Sequence, residues 1–99
     1  MKKFTQEEYH SMPVILGMKL CPTGDYSKIT VFGARSKFGA RSKFGPCSEF
    51  GPNCTFGPNC KFTPFCKFSK HCSFSINCTF GSFCEFAPGC TFDSNIKRN

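Results

Sequence analysis

A phenylalanine recurs every six residues over most of this chain, and this period limits the possible folds more than any other feature. The register is unbroken and contains eleven residues: Phe32, Phe38, Phe44, Phe50, Phe56, Phe62, Phe68, Phe74, Phe80, Phe86 and Phe92. A helix turns by about 100° per residue, so it would rotate by about 600° between successive Phe and scatter them around its axis. The period therefore argues against a helix with one apolar face.

A small residue stands two positions before each of these Phe. The set is Thr30, Ser36, Ser42, Ser48, Cys54, Cys60, Cys66, Cys72, Cys78, Cys84 and Cys90. A separation of two residues is the period of a strand and places both side chains on one face. Gly often follows the Phe, and Pro often follows the Gly, which predicts a corner built from permissive Gly dihedrals and a fixed Pro φ. The unit predicts short strands and corners wound around an axis.

Written as Phe-Gly-x-x-Cys-x, the unit resembles the hexapeptide repeat, although Phe stands where that family prefers Leu, Ile or Val. The resemblance covers about residues 29–94. It implies an all-β fold, the left-handed parallel β-helix, a triangular solenoid with three hexapeptides or 18 residues per coil. The small Ser or Cys fits this packing, because larger rings need smaller neighbours. We expect about 3.5 coils, stacked at the usual spacing between strands.

Residues 18 apart should then be neighbours on successive coils, about 4.8 Å apart. Three such sets make chemical sense. An outward column alternates in charge: Glu49, Lys67 and Glu85. A corner hydrophobic column contains Ile29, Cys47, Phe65 and Phe83. A third corner stacks Asn59, Asn77 and Asn95, where Asn tolerates left-handed backbone dihedrals.

Outside the repeat, residues 1–28 predict an N-terminal cap and residues 95–99 a basic tail. The capping-box pattern from Thr5 to Glu8 predicts a short helix over 6–12, and residues 14–20 an extended segment. A solenoid needs such a cap because an exposed first coil invites association. The last coil has no comparable cover in the sequence, so we expect self-association there, giving a homo-oligomer such as a dimer.

Nine cysteines in so short a chain first suggest disulfides, zinc or a reactive thiol. Stacked side chains in parallel strands point the same way, which disfavours disulfides. The spacing lacks the close pairs of a zinc site, and a buried apolar column does not activate a thiol. We therefore interpret the column Cys as small hydrophobic residues and expect no metal and no cofactor. Many unpaired buried thiols are typical of a reducing compartment, which predicts a cytoplasmic protein without a membrane segment.

The net charge of +7 is concentrated in two places, residues 26–44 and the tail. The first forms a basic girdle around the first coil, which one further Lys extends: Lys28, Arg35, Lys37, Arg41, Lys43 and Lys61. Such a patch favours acidic partners. A protein partner fits best. Nucleic acid is an alternative, although single-strand binders usually display aromatic residues beside the charges, and the repeat Phe are expected to point inward.

Catalytic motifs are sparse. Acyltransferases of the family that the repeat resembles use a His at a subunit interface, and this chain offers His10 and His71. We interpret His71 as an exposed corner residue and assign no catalytic residue. The chain also looks like small repeat proteins of bacteria and their phages. The leading hypothesis is a non-catalytic interaction module, in that case an inhibitor, with an acyltransferase-like enzyme or nucleic-acid binding as alternatives.

Overall fold

The computed structural model describes residues 1–93, which form one short helix and thirteen strands. The helix α1 spans Gln6–His10. The strands are β1 (Val14–Ile15), β2 (Met18–Cys21), β3 (Val31–Phe32), β4 (Ser36–Phe38), β5 (Lys43–Phe44), β6 (Glu49–Phe50), β7 (Thr55–Phe56), β8 (Lys61–Phe62), β9 (Lys67–Phe68), β10 (Ser73–Phe74), β11 (Thr79–Phe80), β12 (Glu85–Phe86) and β13 (Thr91–Phe92). From β3 onward every strand ends on a Phe of the repeat.

The strands stack into three sheets, which are the three faces of a solenoid. Face A contains β5, β8 and β11; face B runs β1-β2-β4-β7-β10-β13; face C runs β3-β6-β9-β12. Neighbouring strands of the repeat are parallel and offset by 18 residues, as in the pairs Lys43↔Lys61 and Glu49↔Lys67. The predicted all-β parallel β-helix with 18 residues per coil is confirmed, and it winds about four coils. The coil count exceeds the predicted one because residues before 29 also pair with the sheets.

The core consists of Phe rings that contact one another in two ways, one within each coil and one along the solenoid axis. Within a coil, neighbouring rings meet edge to face, as in Phe38 and Phe44 with centroids 4.9 Å apart and planes at 89°. Between coils, rings 18 residues apart stack face to face, as in Phe50 and Phe68 at 4.9 Å and 3°. Edge-to-face and offset-stacked pairs are both favourable for aromatic quadrupoles. Each ring in the middle of the solenoid therefore has favourable aromatic neighbours both beside it and along the axis.

The small residues of the repeat fill the space that the rings leave, as predicted. Ser36, Ser42, Ser48 and the five Cys from 54 to 78 are fully buried, whereas Cys84 and Cys90 near the last coil are partly exposed. Each column thiol donates to a carbonyl of the previous coil; for example, Cys54 Sγ lies 3.3 Å from Gly33 O. The first-coil Ser hydroxyls instead donate within their own hexapeptide, as Ser36 does to the same Gly33 oxygen at 3.1 Å.

Each hexapeptide turns its corner through one residue in the left-handed (αL) region, and this residue is the one before the small residue. The residues with φ between 57° and 68° are Arg35, Arg41, Cys47, Asn53, Asn59, Phe65, His71, Asn77 and Phe83. The expectation that the Gly after Phe supplies unusual dihedrals is therefore wrong. That Gly is needed for close approach: a Cβ on Gly51 would lie 2.6 Å from the backbone nitrogen of Ala34 on the previous coil.

Residues before the repeat cover and extend the first coil. The helix predicted over 6–12 is present as Gln6–His10, with the capping box between Thr5 and Glu8 formed. The predicted extended segment is instead a hairpin of β1 and β2 that turns at Leu16 and Gly17, both with positive φ. β2 then adds to face B in parallel. Residues 94–99, which include the predicted basic tail and the Asn95 of the third corner, lie outside the described part of the chain.

Three aromatic side chains of this N-terminal segment complete the core. Tyr26 stacks on Phe44 at 5.6 Å, and Phe4 stacks on Tyr26 at 4.9 Å, so one ring column runs two positions beyond the repeat. Tyr9 packs its edge against Phe32 at 5.2 Å. The Tyr9 hydroxyl lies 2.6 Å from the Ser36 hydroxyl and accepts a hydrogen bond from Gly33 N at 2.8 Å. In residues 1–93 no helix is long and apolar enough to cross a membrane.

Substitution of Gly51 by Ala should destabilise the fold, while the same substitution at Gly33 should not. The new Cβ at Gly51 meets backbone of the previous coil, whereas at Gly33 its nearest contact is the Tyr9 hydroxyl at 3.8 Å. Ser69 and Ala87 carry side chains at the equivalent positions of later coils, so the coils can adjust in part. We expect a loss of about 1 kcal/mol for Gly51→Ala and no loss for Gly33→Ala, measured by urea unfolding. Equal effects would contradict the close-approach role.

Candidate interaction surfaces

The six residues of the basic girdle are all exposed and are distributed around the first coils. Lys43 and Lys61 lie on face A, and Lys37 lies on face B. The other three occupy the turns between faces: Lys28 before face C, Arg35 between faces C and B, and Arg41 between faces B and A. Of the six residues, the structure therefore brings only Lys43 and Lys61 into one sheet. Arg41 lies at the edge of that face, whereas Lys28, Arg35 and Lys37 lie on other sides of the solenoid.

Face A carries the strongest local charge of the girdle. Lys43 and Lys61 are directly paired in register, an arrangement that is unfavourable for two like charges. On the side toward the N-terminus, the backbone of Asp25 pairs with that of Lys43 in an isolated parallel β-bridge. The backbone of Lys3 pairs with that of Asp25 in the same way. The pKa of Asp25 is lowered by the Ser27 hydroxyl first and by the two neighbouring lysines as well. Within residues 1–93, Asp25 is the one acidic residue in backbone register with Lys43 and Lys61.

Face C carries the predicted column of alternating charge. Glu49 pairs with Lys67, and Lys67 pairs with Glu85, all pointing outward in register. Val31 precedes them in the same column and is 60% exposed. Opposite charges directly across neighbouring strands are favourable, so this column contributes to the order of the coils. The prediction that these residues stack is confirmed.

The corner between faces A and C displays aromatic rings. Phe65 and Phe83 are 53% and 71% exposed, and their rings stack with centroids 5.2 Å apart at 13°. Cys47 lies exposed at the same corner one coil earlier. Ile29, which the sequence places in this column, is fully buried and packs with the core cluster instead. We name the three exposed residues Cys47, Phe65 and Phe83 the aromatic corner.

The His71 imidazole lies at the corner between faces C and B and is exposed. Its column contains Arg35, Asn53 and Gly89, each one coil from the next and all with positive φ. A Cβ at Gly89 would lie 2.4 Å from His71 Nδ1, so a larger residue there would displace the imidazole. No carboxylate stands in this column to orient the ring. The residues that precede and follow it, Lys70 and Cys72, offer none either.

Two of the buried thiols, Cys66 and Cys21, are suppressed as nucleophiles, whereas hydrogen bonds from Cys72 and Cys60 lower the pKa of Cys54 and Cys78. Burial raises the pKa of Cys66 to about 11 and the pKa of Cys21 to about 12, because the charged thiolate loses its hydration. Cys21 lines an apolar groove of about 460 Å³ with Pro13, Leu20 and Phe38. All nine Cys are free thiols, and among residues 1–93 no cluster of three or more metal-ligating side chains forms.

Sequence reasoning missed the role of Tyr26 and of the contact between Tyr9 and Ser36. A signal for Tyr26 was present, since it stands 18 residues before Phe44 and so belongs to the same column. Ser rather than Cys at two positions of the first coil also has a cause that the sequence shows only indirectly: Ser36 bonds Tyr9, and Ser42 accepts from Gly24 N, so both hydroxyls hold the N-terminal segment. A hydroxyl is a stronger hydrogen-bonding group than a thiol.

The chain was compared with protein-family models, curated proteins and solved structures, and none of them matched.

Alkylation should distinguish exposed from buried thiols. We expect iodoacetamide at pH 8 to modify Cys47 first, while Cys66 and Cys21 react only after unfolding, because their thiolates are suppressed and their sulfurs are shielded. Peptide mass spectrometry over time measures the order, and the chain unfolded in guanidinium serves as the control in which the sites become equivalent. Modification of Cys66 as fast as Cys47 in the folded protein would contradict the buried column.

Alkaline pH should destabilise the protein through the same thiols. In the unfolded chain a thiol has a pKa of about 8.5, whereas folding raises the pKa of Cys66 to about 11. The unfolded state therefore loses protons first, and stability present below pH about 8.5 falls as the pH rises toward 11. Melting temperature in reductant from pH 7 to 10.5 tests this. Cys66→Ser, which repeats the Ser48 of its own column, should show a smaller fall.

Proposed function

We propose that the protein is a non-catalytic interaction module whose basic girdle binds an acidic protein surface. The observation that carries the proposal is the pairing of Lys43 with Lys61 in face A, with Arg41 exposed at the corner beside them. Like charges in direct register cost folding energy, and an acidic partner would offset that cost on binding. Such a module can inhibit its partner by covering the surface that it binds.

Charge pairing within the molecule leaves the girdle available. Among residues 1–93 the side-chain ion pair within 4 Å is Lys2 with Glu8, which belongs to the N-terminal segment. The six girdle residues form none there. Their side chains also lie on a rigid support, since each coil is fixed by stacked rings and by parallel pairing. The backbone that carries the cations is therefore preorganised, so binding has to order only their side chains.

The acyltransferase alternative has less support. A general base of that kind must be oriented, most often by a carboxylate that accepts from its second ring nitrogen. His71 stacks with Arg35, Asn53 and Gly89 along its corner, and none of them is a carboxylate. The alternative predicts that His71→Ala abolishes an acyl-transfer activity, and the proposal predicts that no such activity exists to be lost.

The central experiment compares capture of cellular proteins by the wild type and by Arg35→Glu/Arg41→Glu. Both positions are exposed corner residues, so the fold should be preserved. We expect binding of the acidic partner to be lost or weakened by about tenfold or more, because the variant replaces two girdle cations by carboxylates, one of them at the edge of face A. Circular dichroism and melting temperature of each variant establish that it is folded.

Matched single substitutions refine the result. Arg41→Asn removes a girdle charge and introduces the residue type that the next two coils have at this corner, as Asn59 and Asn77. Lys70→Asn removes one charge outside the girdle. The proposal expects Arg41→Asn to weaken binding and Lys70→Asn to leave it unchanged. Equal loss from both variants would indicate a net-charge effect. Recovery of nucleic acid with a steep salt dependence would replace the protein partner by the nucleic-acid alternative.

A further inference from the structure

The aromatic corner combines two unfavourable features at each of two positions. Phe65 and Phe83 adopt φ of 68° and 62°, a region that bulky side chains avoid, and they expose most of their apolar surface to water. Corresponding positions at the other corners hold Asn at 53, 59 and 77 and Gly at 89, which suit this backbone, or the polar residues Arg35, Arg41 and His71. Phe65 and Phe83 are the two that are both large and apolar. Strained and exposed aromatic residues that cluster in space indicate a contact surface.

The charges beside these rings are opposite in sign and lie in the same two coils. Lys67 follows Phe65 by two residues, and Glu85 follows Phe83 by two residues. Lys67 and Glu85 are register partners on face C, and the rings of Phe65 and Phe83 stack on each other. One coil thus presents a ring and a cation, and the next coil presents a ring and an anion.

This arrangement is self-complementary under a two-fold axis. An axis in face C, perpendicular to the solenoid and midway between the two coils, exchanges one coil for the other. It sets Lys67 opposite Glu85 of a second copy and Phe65 opposite Phe83 of that copy, and each contact occurs twice. We propose that face C and the aromatic corner form the interface of a homodimer. This is the isologous contact that closed dimers use.

Other occupants fit this surface less well. Glu49 and Glu85 stand on the face and would repel the phosphates of a nucleic acid. A lipid surface would meet the same carboxylates. The second copy brings both the matching charges and the matching rings. The body measures only 32 × 25 × 19 Å, so one face offers a small interface at the low end of the standard size of about 800 Å² per partner. We expect a reversible dimer with micromolar affinity.

Sedimentation velocity of the full chain, in reductant so that Cys47 cannot form disulfides, tests the dimer from about 1 μM to about 500 μM. The wild type should change from monomer to dimer within this range. Phe65→Asn/Phe83→Asn should remain monomeric, because it removes the rings and retains a residue suited to the corner. Its melting temperature at low concentration should equal or exceed that of the wild type, which separates lost association from lost folding.

A charge exchange identifies the face directly. Lys67→Glu and Glu85→Lys should each be monomeric alone, since each sets like charges opposite each other in its own dimer. When the two variants are mixed, both charge pairs across the axis become attractive, so a heterodimer should form. Ile76→Asn, at a different corner and 38% exposed, is the control and should dimerise as the wild type does.

A wild type that stays monomeric throughout the range would overturn the proposal. A dimer that persists in the Phe65→Asn/Phe83→Asn variant, or two charge variants that remain monomeric on mixing, would also overturn it. The test needs no acidic partner and leaves the girdle intact. Its result is therefore separate from that of the girdle variants, and either proposal can fail without the other.

Discussion

The whole structure depends on one match of dimensions, between the spacing of parallel strands and the stacking distance of aromatic rings. Ring centroids along the repeat columns lie 4.7–5.2 Å apart, while hydrogen-bonded strands lie about 4.7–4.9 Å apart. Rings attached to successive coils can therefore stack without tilting the backbone. An insertion or deletion within the repeat would take every following Phe out of its column and lose either the hydrogen bonds or the stacking. This explains why the period of six is unbroken.

The ring columns in turn decide what else the core can contain. Three Phe per coil meet edge to face and leave room only for a small neighbour, which is Cys in the later coils and Ser in the first. The exchange follows from hydrogen bonding: Cys donates weakly to the coil before it, whereas Ser36 and Ser42 also bond the N-terminal segment. Tyr26 serves both needs, since its ring extends a Phe column and its hydroxyl donates to Pro22 O at 2.6 Å.

The sequence was sufficient to predict what repeats and insufficient to predict what occurs once. Periods of 6 and 18 predicted the parallel coils, the inward Cys and the charge column through Lys67, because each follows from geometry that every coil shares. The hairpin at Leu16, by contrast, lies in a segment where no residue type recurs, and Leu is not a residue from which a turn is predicted. Ile29 was assigned by spacing alone, but its position precedes the first regular corner, and the chain turns it into the core.

Because the core fixes every inward position, the sequence varies at the outward positions, and the residue before each Phe and the αL corner carry most of the surface charge and exposed apolar area. The chain uses them differently on different faces. Face A stacks Lys43 on Lys61, while face C alternates Glu49, Lys67 and Glu85. The aromatic corner separates the two. Binding of a second copy through face C would leave most of face A accessible, so a dimer would present two basic surfaces to an acidic partner and gain avidity from their rigid linkage.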